Sequence, residues 1–153
     1  MVNYFGGKMK LIIKHFSELT TEELYNIFKL RSDVFIVEQN CAYPDIDEAD
    51  KVAYHMWLED EDGIAAYLRV LPQGVKFDDV SLGRVISARR GCGLGARIMQ
   101  EGIKAAQEIY GAKSITIGAQ SYAKGFYEKQ GFVQISEEFV EDGIPHILMQ
   151  KFR

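Results

Sequence analysis

Residues 89–97 read Arg-Arg-Gly-Cys-Gly-Leu-Gly-Ala-Arg and lie between a segment with strand character and a segment with helical periodicity. Glycines let the backbone turn tightly and expose consecutive N–H groups, while the following helix N-terminus adds a partial positive charge. This combination favours a bound phosphate, to which Arg89 and Arg90 would add charge. An ordinary strand-to-helix connection, in which glycine only relieves strain, is the alternative.

The segments on either side of this loop predict the fold class. Predicted strands cover residues 10–15, 52–59, 64–71, 80–87, 114–117, 131–138 and 145–151. Predicted helices cover residues 21–39, 94–110 and 121–130, with turns at Asp62-Gly63 and at residues 141–143. This order indicates an α+β (mixed α/β) fold, in which helices cover both faces of a mixed, mostly antiparallel sheet.

Size and composition predict one domain. The chain has 153 residues, of which 47% are hydrophobic and 26% charged, enough for one core. We expect residues 1–9 to be a flexible tail and residues 10–153 to form the domain. Since no apolar run is long enough to span a membrane and no secretory signal begins the chain, we expect a cytoplasmic protein without membrane contact. Two cysteines, Cys41 and Cys92, are too few for a disulfide framework or a zinc site, and we expect no metal.

The charge distribution is uneven. A net charge of -4 argues against a nucleic-acid partner, which would need a basic face. Residues 45–62 contain eight acids and one base, whereas residues 84–104 contain five bases and one acid. One part of the molecule could therefore attract a cationic acceptor and another an anion. The alternative is that both clusters are simply solvated.

Two nucleotide-binding motifs are disfavoured. The P-loop pattern Gly-x-x-x-x-Gly-Lys-Ser/Thr is absent from the sequence. The dinucleotide fingerprint is nominally met by Gly91, Gly93 and Ala96, but the next predicted strand ends at residues 115–120 without the acid that would hold a ribose. A nicotinamide enzyme is therefore a minor alternative.

Two motifs in order resemble a known family. Residues 90–95, read as Arg-x-x-Gly-x-Gly, resemble the pyrophosphate loop of the GNAT superfamily of acyl-CoA-dependent N-acyltransferases, and residues 126–132 resemble its second element. Further segments are similar to the ElaA-like branch, namely residues 30–39, 66–69, 83–85, 119–120 and 141–146. The resemblance covers nearly all of residues 10–151.

The resemblance implies a fold, a cofactor and a reaction. The sheet would splay into a V between its fourth and fifth predicted strands, with CoA in the opening, and acetyl-CoA would donate an acetyl group directly to a primary amine. The acceptor would be a small molecule or a peptide. The implied cofactor-binding residues are Val85, Ile86, Ser87, Arg89, Arg90, Gly91, Cys92, Gly93, Leu94, Gly95, Ala96 and Gln120. A non-catalytic acyl-CoA sensor of the same fold is the alternative.

Three residues are catalytic candidates. The resemblance places Tyr127 beside the leaving thiolate, where its phenol could donate a proton. Glu38 and His55 are candidates for the base that removes a proton from the amine, although each could be a buried structural group instead. His146 is a weaker candidate of the same kind. Exposed sheet edges are compatible with a homodimer, which nothing in the sequence requires.

Overall fold

A computed structural model describes residues 2–4, 7–89 and 91–153. Arg90, predicted to bind the diphosphate, lies outside the described residues. The strands are β1 Val2–Tyr4, β2 Gly7–His15, β3 Tyr54–Asp60, β4 Gly63–Leu71, β5 Ser81–Ser87, β6 Ser114–Gln120, β7 Val133–Gln134, β8 Phe139–Glu141 and β9 Ile144–Phe152. The helices are α1 Thr21–Arg31, α2 Leu94–Tyr110 and α3 Lys124–Lys129, with a π-helix over Ser32–Glu38 and 3-10 turns at Phe16–Glu18, Glu48–Val52 and Ser121–Ala123.

The strands form two sheets that meet at one point. Strands β1 to β5 pair antiparallel in chain order, and the second sheet has the order β6-β9-β7 with β8 also paired to β9. A single parallel bridge, Val80 to Ile115, connects the sheets, and the Thr116 N–H donates to the Val80 carbonyl at 3.1 Å. In the part of the chain that the structure describes, β5 and β6 share no bridge beyond this point. The predicted α+β fold, with its splay between these two strands, is confirmed.

Alternation along the central strands builds a core on each face of the first sheet. Met56, Leu58 and Leu68 pack with the α2 side, while Trp57 and Tyr67 pack with α1. Helix α2 packs closely against β4 at Gly102. A Cβ added at this glycine would lie only 2.7 Å from Leu68 Cδ2. The first sheet is thereby packed on both faces.

Several predicted boundaries differ from the observed ones. Residues 2–4 and 7–9 of the predicted tail lie in β1 and β2, which pair with each other, although the division into tail and domain stays a prediction. The predicted helix 21–39 is α-helical only as far as Arg31 and continues from Ser32 as a π-helix. At its end the Gln39 N–H donates to the carbonyl of Val34 at 3.3 Å. The predicted strand 131–138 shrinks to Val133–Gln134 because the Ser136 hydroxyl accepts the Leu148 N–H at 2.8 Å and interrupts the ladder.

The second sheet ends in a hairpin that the sequence only partly predicted. A turn was expected at residues 141–143, and Asp142 and Gly143 adopt the positive φ values of 51° and 77° that such a turn requires. The preceding strand β8 was missed, since only three residues form it. Among the described residues, no helix has the length and apolar character needed to cross a membrane.

Candidate functional site

A cavity of about 1120 Å³ occupies the space between the two sheets. Its walls come from β5 and β6, from the π-helix, from the loop that follows it and from the β8–β9 hairpin. The predicted site residues that line it are Val85, Ile86, Ser87, Gln120, Tyr127 and Glu38. The structure therefore collects residues far apart in sequence around one space.

A bulge shapes the β5 wall of this cavity. Tyr67 pairs with Ile86 and Arg69 pairs with Gly83, so that two residues of β5, Arg84 and Val85, lie opposite one residue of β4. Arg84 adopts a positive φ of 53°, which a β-bulge accommodates and an ordinary strand does not. Beyond the bridge to β6, the outer edge of β5 presents unpaired backbone N–H and C=O groups to the cavity. Such an edge can bind an extended amide-containing chain.

The glycine loop precedes α2 as predicted. Gly91 and Gly93 have φ values of 74° and 69°, a conformation that side chains rarely adopt. Gly93 is the N-cap of α2 and makes no side-chain cap, and the first turn contains no acid. The N–H groups of that turn are thus available to an anion. The buried Leu94 anchors the turn in the core, as expected.

The loop also touches the cavity wall and α3. A Cβ added at Gly95 would lie 3.5 Å from Phe126 and 3.7 Å from the Ser87 Cβ. Gly95 and Ala96 are in the first turn of α2, and Cys92 packs against the core cluster. The loop, the end of β5 and the residue before Tyr127 therefore meet at one place.

Arg89 is held by an acid. Its guanidinium donates to Asp60 at 2.8 Å, and this hydrogen bond, opposed by partial burial, lowers the pKa of Asp60. The positive charge that Arg89 could offer to a bound anion is thus already paired with Asp60.

Tyr127 lies on α3 with its ring packed edge-on against Phe126 and Phe132, at centroid distances of 5.0 and 6.2 Å. Burial, with a smaller contribution from Tyr122, raises the pKa of Tyr127 to about 12. Within the described chain, its hydroxyl makes no hydrogen bond. The phenol is therefore protonated at neutral pH and able to donate into the cavity.

Glu38 and Gln120 both line the cavity, Glu38 from the π-helix and Gln120 from β6. Glu38 ends the π-helix, is exposed and forms no ion pair with any described residue. The Gln120 side-chain amide donates to the Gln39 side chain at 3.3 Å and so links β6 to the segment after the π-helix. An uncompensated carboxylate is thus present where a cationic group could enter.

His55 lies away from this cavity. It is fully buried, its Nδ1 is 2.7 Å from the Tyr67 hydroxyl, and its Nε2 is 3.0 Å from the Asp50 carbonyl oxygen. Burial, together with nearby arginines, lowers the pKa of His55 and keeps the ring neutral. Strand alternation did not decide on which face of the sheet His55 lies. The structure places it on a buried face, where both ring nitrogens belong to a hydrogen-bonded network.

That network contains three of the acids in residues 45–62, the stretch considered above as an attractor for a cationic acceptor. It consists of three arginines and three aspartates, namely Arg31, Arg69, Arg84, Asp45, Asp47 and Asp50. The buried Arg31 contacts Asp50 at 2.6 Å and Asp45 at 3.0 Å. These aspartates are neutralised internally, which corrects both the attractor and the solvated-loop interpretations for Asp45, Asp47 and Asp50. The position of Arg31 on the apolar stripe of α1 was the available signal.

The cavity also contains residues that sequence reasoning ranked low or missed. His146, at the start of β9, lines the cavity close to the predicted Gln120, because the two residues are register partners. Lys76 lines it from the loop before β5, and burial lowers the pKa of its ammonium. No group of three or more His, Cys, Asp or Glu side chains in the described part of the chain could hold a metal ion. Cys41 and Cys92 are not joined by a disulfide.

Comparison with known proteins agrees with this geometry. The family model of the acetyltransferase (GNAT) domain matches residues 18–152. The chain belongs to the GNAT family. Protein ElaA of Escherichia coli strain K12 is 38% identical over 143 residues, which cover 90% of this chain and 92% of that protein.

Solved GNAT structures are similar over nearly the whole chain. The crystal structure of E. coli ElaA superposes with a TM-score of 0.87 at 35% identity, covering 94% of this chain and 99% of that one. An acyl-CoA N-acyltransferase from Pseudomonas aeruginosa gives a TM-score of 0.86 at 34% identity, covering 93% and 99%. The resemblance to the ElaA-like GNAT branch is confirmed, and membership supports acyl transfer as the general activity.

Proposed function

We propose that this GNAT protein transfers an acetyl group from acetyl-CoA directly to a primary amine of a small molecule or peptide. The observation that carries the proposal is the cavity itself. It runs along the open edge of β5 and contains Tyr127 and Glu38, while the uncapped start of α2 lies beside it. Family membership supports acyl transfer, whereas the acetyl donor and the amine acceptor are part of the proposal.

The chain offers a binding surface that fits acetyl-CoA. The N–H groups of residues 91–96 would hold the diphosphate, since they combine glycine turns with a helix N-terminus. The unpaired edge of β5 at Val85, Ile86 and Ser87 would hold the pantetheine amides. Gln120 would border the same chain from β6. These assignments use the predicted cofactor-binding residues apart from Arg90, which lies outside the described residues, and Arg89, whose guanidinium is paired with Asp60.

Three features of the chain supply the chemistry. Glu38 is positioned to attract the ammonium form of the acceptor at the mouth of the cavity. Backbone N–H groups beside the β5 bulge are suited to stabilise negative charge on the carbonyl oxygen under attack. The Tyr127 hydroxyl, which keeps its proton at neutral pH, would protonate the departing sulfur. The buried His55 has no part in this scheme.

A thiol-release assay with acetyl-CoA and a panel of primary amines tests the function. We expect release of CoA that depends on the amine, together with an acceptor heavier by one acetyl group in the mass spectrum. Binding of CoA without turnover of any amine would support the non-catalytic sensor instead. Binding of NADH in preference to acetyl-CoA would contradict both.

The glycine loop gives a charge-specific prediction. Gly93→Asp should raise the dissociation constant for CoA at least about tenfold, because a carboxylate at the N-cap of α2 would repel the diphosphate. Gly93→Asn is the matched control, since it has the same shape and the same positive φ but no charge. Isothermal titration calorimetry at low and high salt should show a large defect only for the aspartate, reduced by salt. Equal affinities for the two variants would remove the diphosphate from this loop.

A further inference from the structure

His146 occupies a fixed position in the wall of the cavity. It pairs in register with Gln120 of β6 on one side and with Phe139 of β8 on the other. Its ring stacks on Phe139 with a centroid distance of 6.1 Å and an interplanar angle of 26°, and only 9% of the residue is exposed. Neighbours on both sides thus hold the imidazole in one orientation.

The hydrogen bond of one ring nitrogen defines the role of the other. His146 Nδ1 lies 2.7 Å from the carbonyl oxygen of Ile144, and a carbonyl can only accept. Nδ1 must therefore carry a proton, so that the neutral ring has its lone pair on Nε2. The nearest acid, Glu141 on β8, lies 3.7 Å from Nε2, which is too far for a hydrogen bond but close enough to stabilise an imidazolium.

Other charged residues line the same cavity. Glu38 lines it from the π-helix, Asp142 from the β8–β9 turn and Lys76 from the loop before β5. The Lys76 ammonium lies 3.9 Å from the position of a Cβ added at Gly118, on the strand that pairs with β9. Counting every described charged residue that lines the cavity gives five acids and three bases, namely Asp33, Glu38, Asp47, Glu141, Asp142, Arg69, Lys76 and Arg84.

His55 provides the contrast. Both of its ring nitrogens already have partners and the ring is sealed in the core. In His146 one nitrogen is hydrogen-bonded to the backbone, while Nε2 has only the Glu141 carboxylate nearby, at 3.7 Å. Only His146, of these two, has the geometry of a proton acceptor at the cavity.

We propose that His146 is the general base of the reaction, with Glu141 stabilising its imidazolium form, an assignment that rests on the proposed acyl transfer. His146 Nε2 removes one proton from the acceptor ammonium, and the freed nitrogen lone pair bonds to the thioester carbonyl carbon. The carbon–sulfur bond breaks and the sulfur takes the Tyr127 proton. The second proton lost by the nitrogen restores Tyr127, and His146 releases its proton to solvent, so that one proton is produced for each amide formed.

Kinetics of His146→Gln test the assignment. We expect kcat/KM for an amine to fall about 10²- to 10³-fold, the usual contribution of a general base, with the affinity for CoA unchanged. The acid limb of the wild-type pH profile should disappear. In Glu141→Gln, where the ring remains but its carboxylate neighbour does not, the fall should be about tenfold. An unchanged kcat/KM or an unchanged acid limb in His146→Gln would overturn the assignment.

A second measurement does not depend on turnover. Nitrogen-15 NMR of histidine-labelled wild-type protein, with the His146 signals assigned through His146→Gln, should show the neutral ring protonated on Nδ1. A neutral ring protonated on Nε2 would overturn the proposal whatever the amine assay gives. If wild-type protein binds CoA and turns over no amine, the proposed function fails, and with it the base role of His146.

Discussion

Replacing Asp50 by alanine is expected to lower the free energy of unfolding by about 3–5 kcal/mol, the usual cost of removing one partner from a buried ion pair. Asp50 is 1% exposed and accepts hydrogen bonds from Arg31 at 2.6 and 3.1 Å and from Arg69 at 2.9 Å. Without the Asp50 carboxylate, the buried guanidinium groups of Arg31 and Arg69 would lose a negatively charged partner. Urea denaturation followed by circular dichroism measures the change.

Glu48→Ala is the matched control for this prediction. Glu48 belongs to the same acidic segment and contacts Lys51 at 3.2 Å, but its side chain is 89% exposed. An exposed pair contributes about 0–1 kcal/mol, so this variant should unfold at nearly the wild-type urea concentration. Similar midpoints for the Asp50 and Glu48 variants would show that the arginine–aspartate network does not hold the loop.

The same network predicts how stability depends on pH. Burial by itself raises the pKa of Asp50, but the hydrogen bonds and charges of Arg31 and Arg69 outweigh it and hold that pKa below its ordinary value. A carboxyl whose pKa is lower in the folded state stabilises the fold above the unfolded pKa, about 3.9. That stabilisation is lost as pH falls through the folded pKa. Unfolding free energies measured from pH 7 downwards should therefore decline less steeply in Asp50→Ala than in wild type.

Tyr127→Phe is expected to lower kcat for amine acetylation by about 10²- to 10³-fold, within the range for loss of a general acid. The substitution removes only the hydroxyl, so the edge-on packing against Phe126 and Phe132 and the affinity for CoA should persist. Steady-state thiol release, combined with calorimetric titration of CoA, separates the two effects.

The neighbouring Tyr122 offers a control, because it also lines the cavity but is 82% exposed. Tyr122→Phe should keep kcat within about twofold of wild type, since most of the Tyr122 side chain faces solvent. If both variants retain full activity, or both lose it equally, Tyr127 is not the acid.

Loops, turns and helices whose signals lie within a short stretch of sequence were predictable. The glycines at residues 91–95 and the helical periodicity after them placed the loop and α2 correctly. The Asp62-Gly63 signal placed the β3–β4 hairpin. Each of these patterns is set within a few residues of chain.

Features that depend on distant residues were not predictable in the same way. Arg31 and Asp50 are 19 residues apart, and Arg84 and Asp45 are 39 apart, so no local pattern pairs them. Strand alternation could not tell which of His55 and His146 faces the cavity, because that depends on what covers each face. The π-helix and the β5 bulge change the direction of side chains without a distinctive local signal in this sequence.

A crystal structure of the protein grown with acetyl-CoA decides most directly whether the cleft between β5 and β6 is an acyl-CoA site. We expect the diphosphate on the N–H groups of residues 91–96, the pantetheine along Val85 to Ser87 and the thioester near Tyr127. Coenzyme bound elsewhere on the protein, or a cleft left empty at saturating coenzyme, would contradict this assignment.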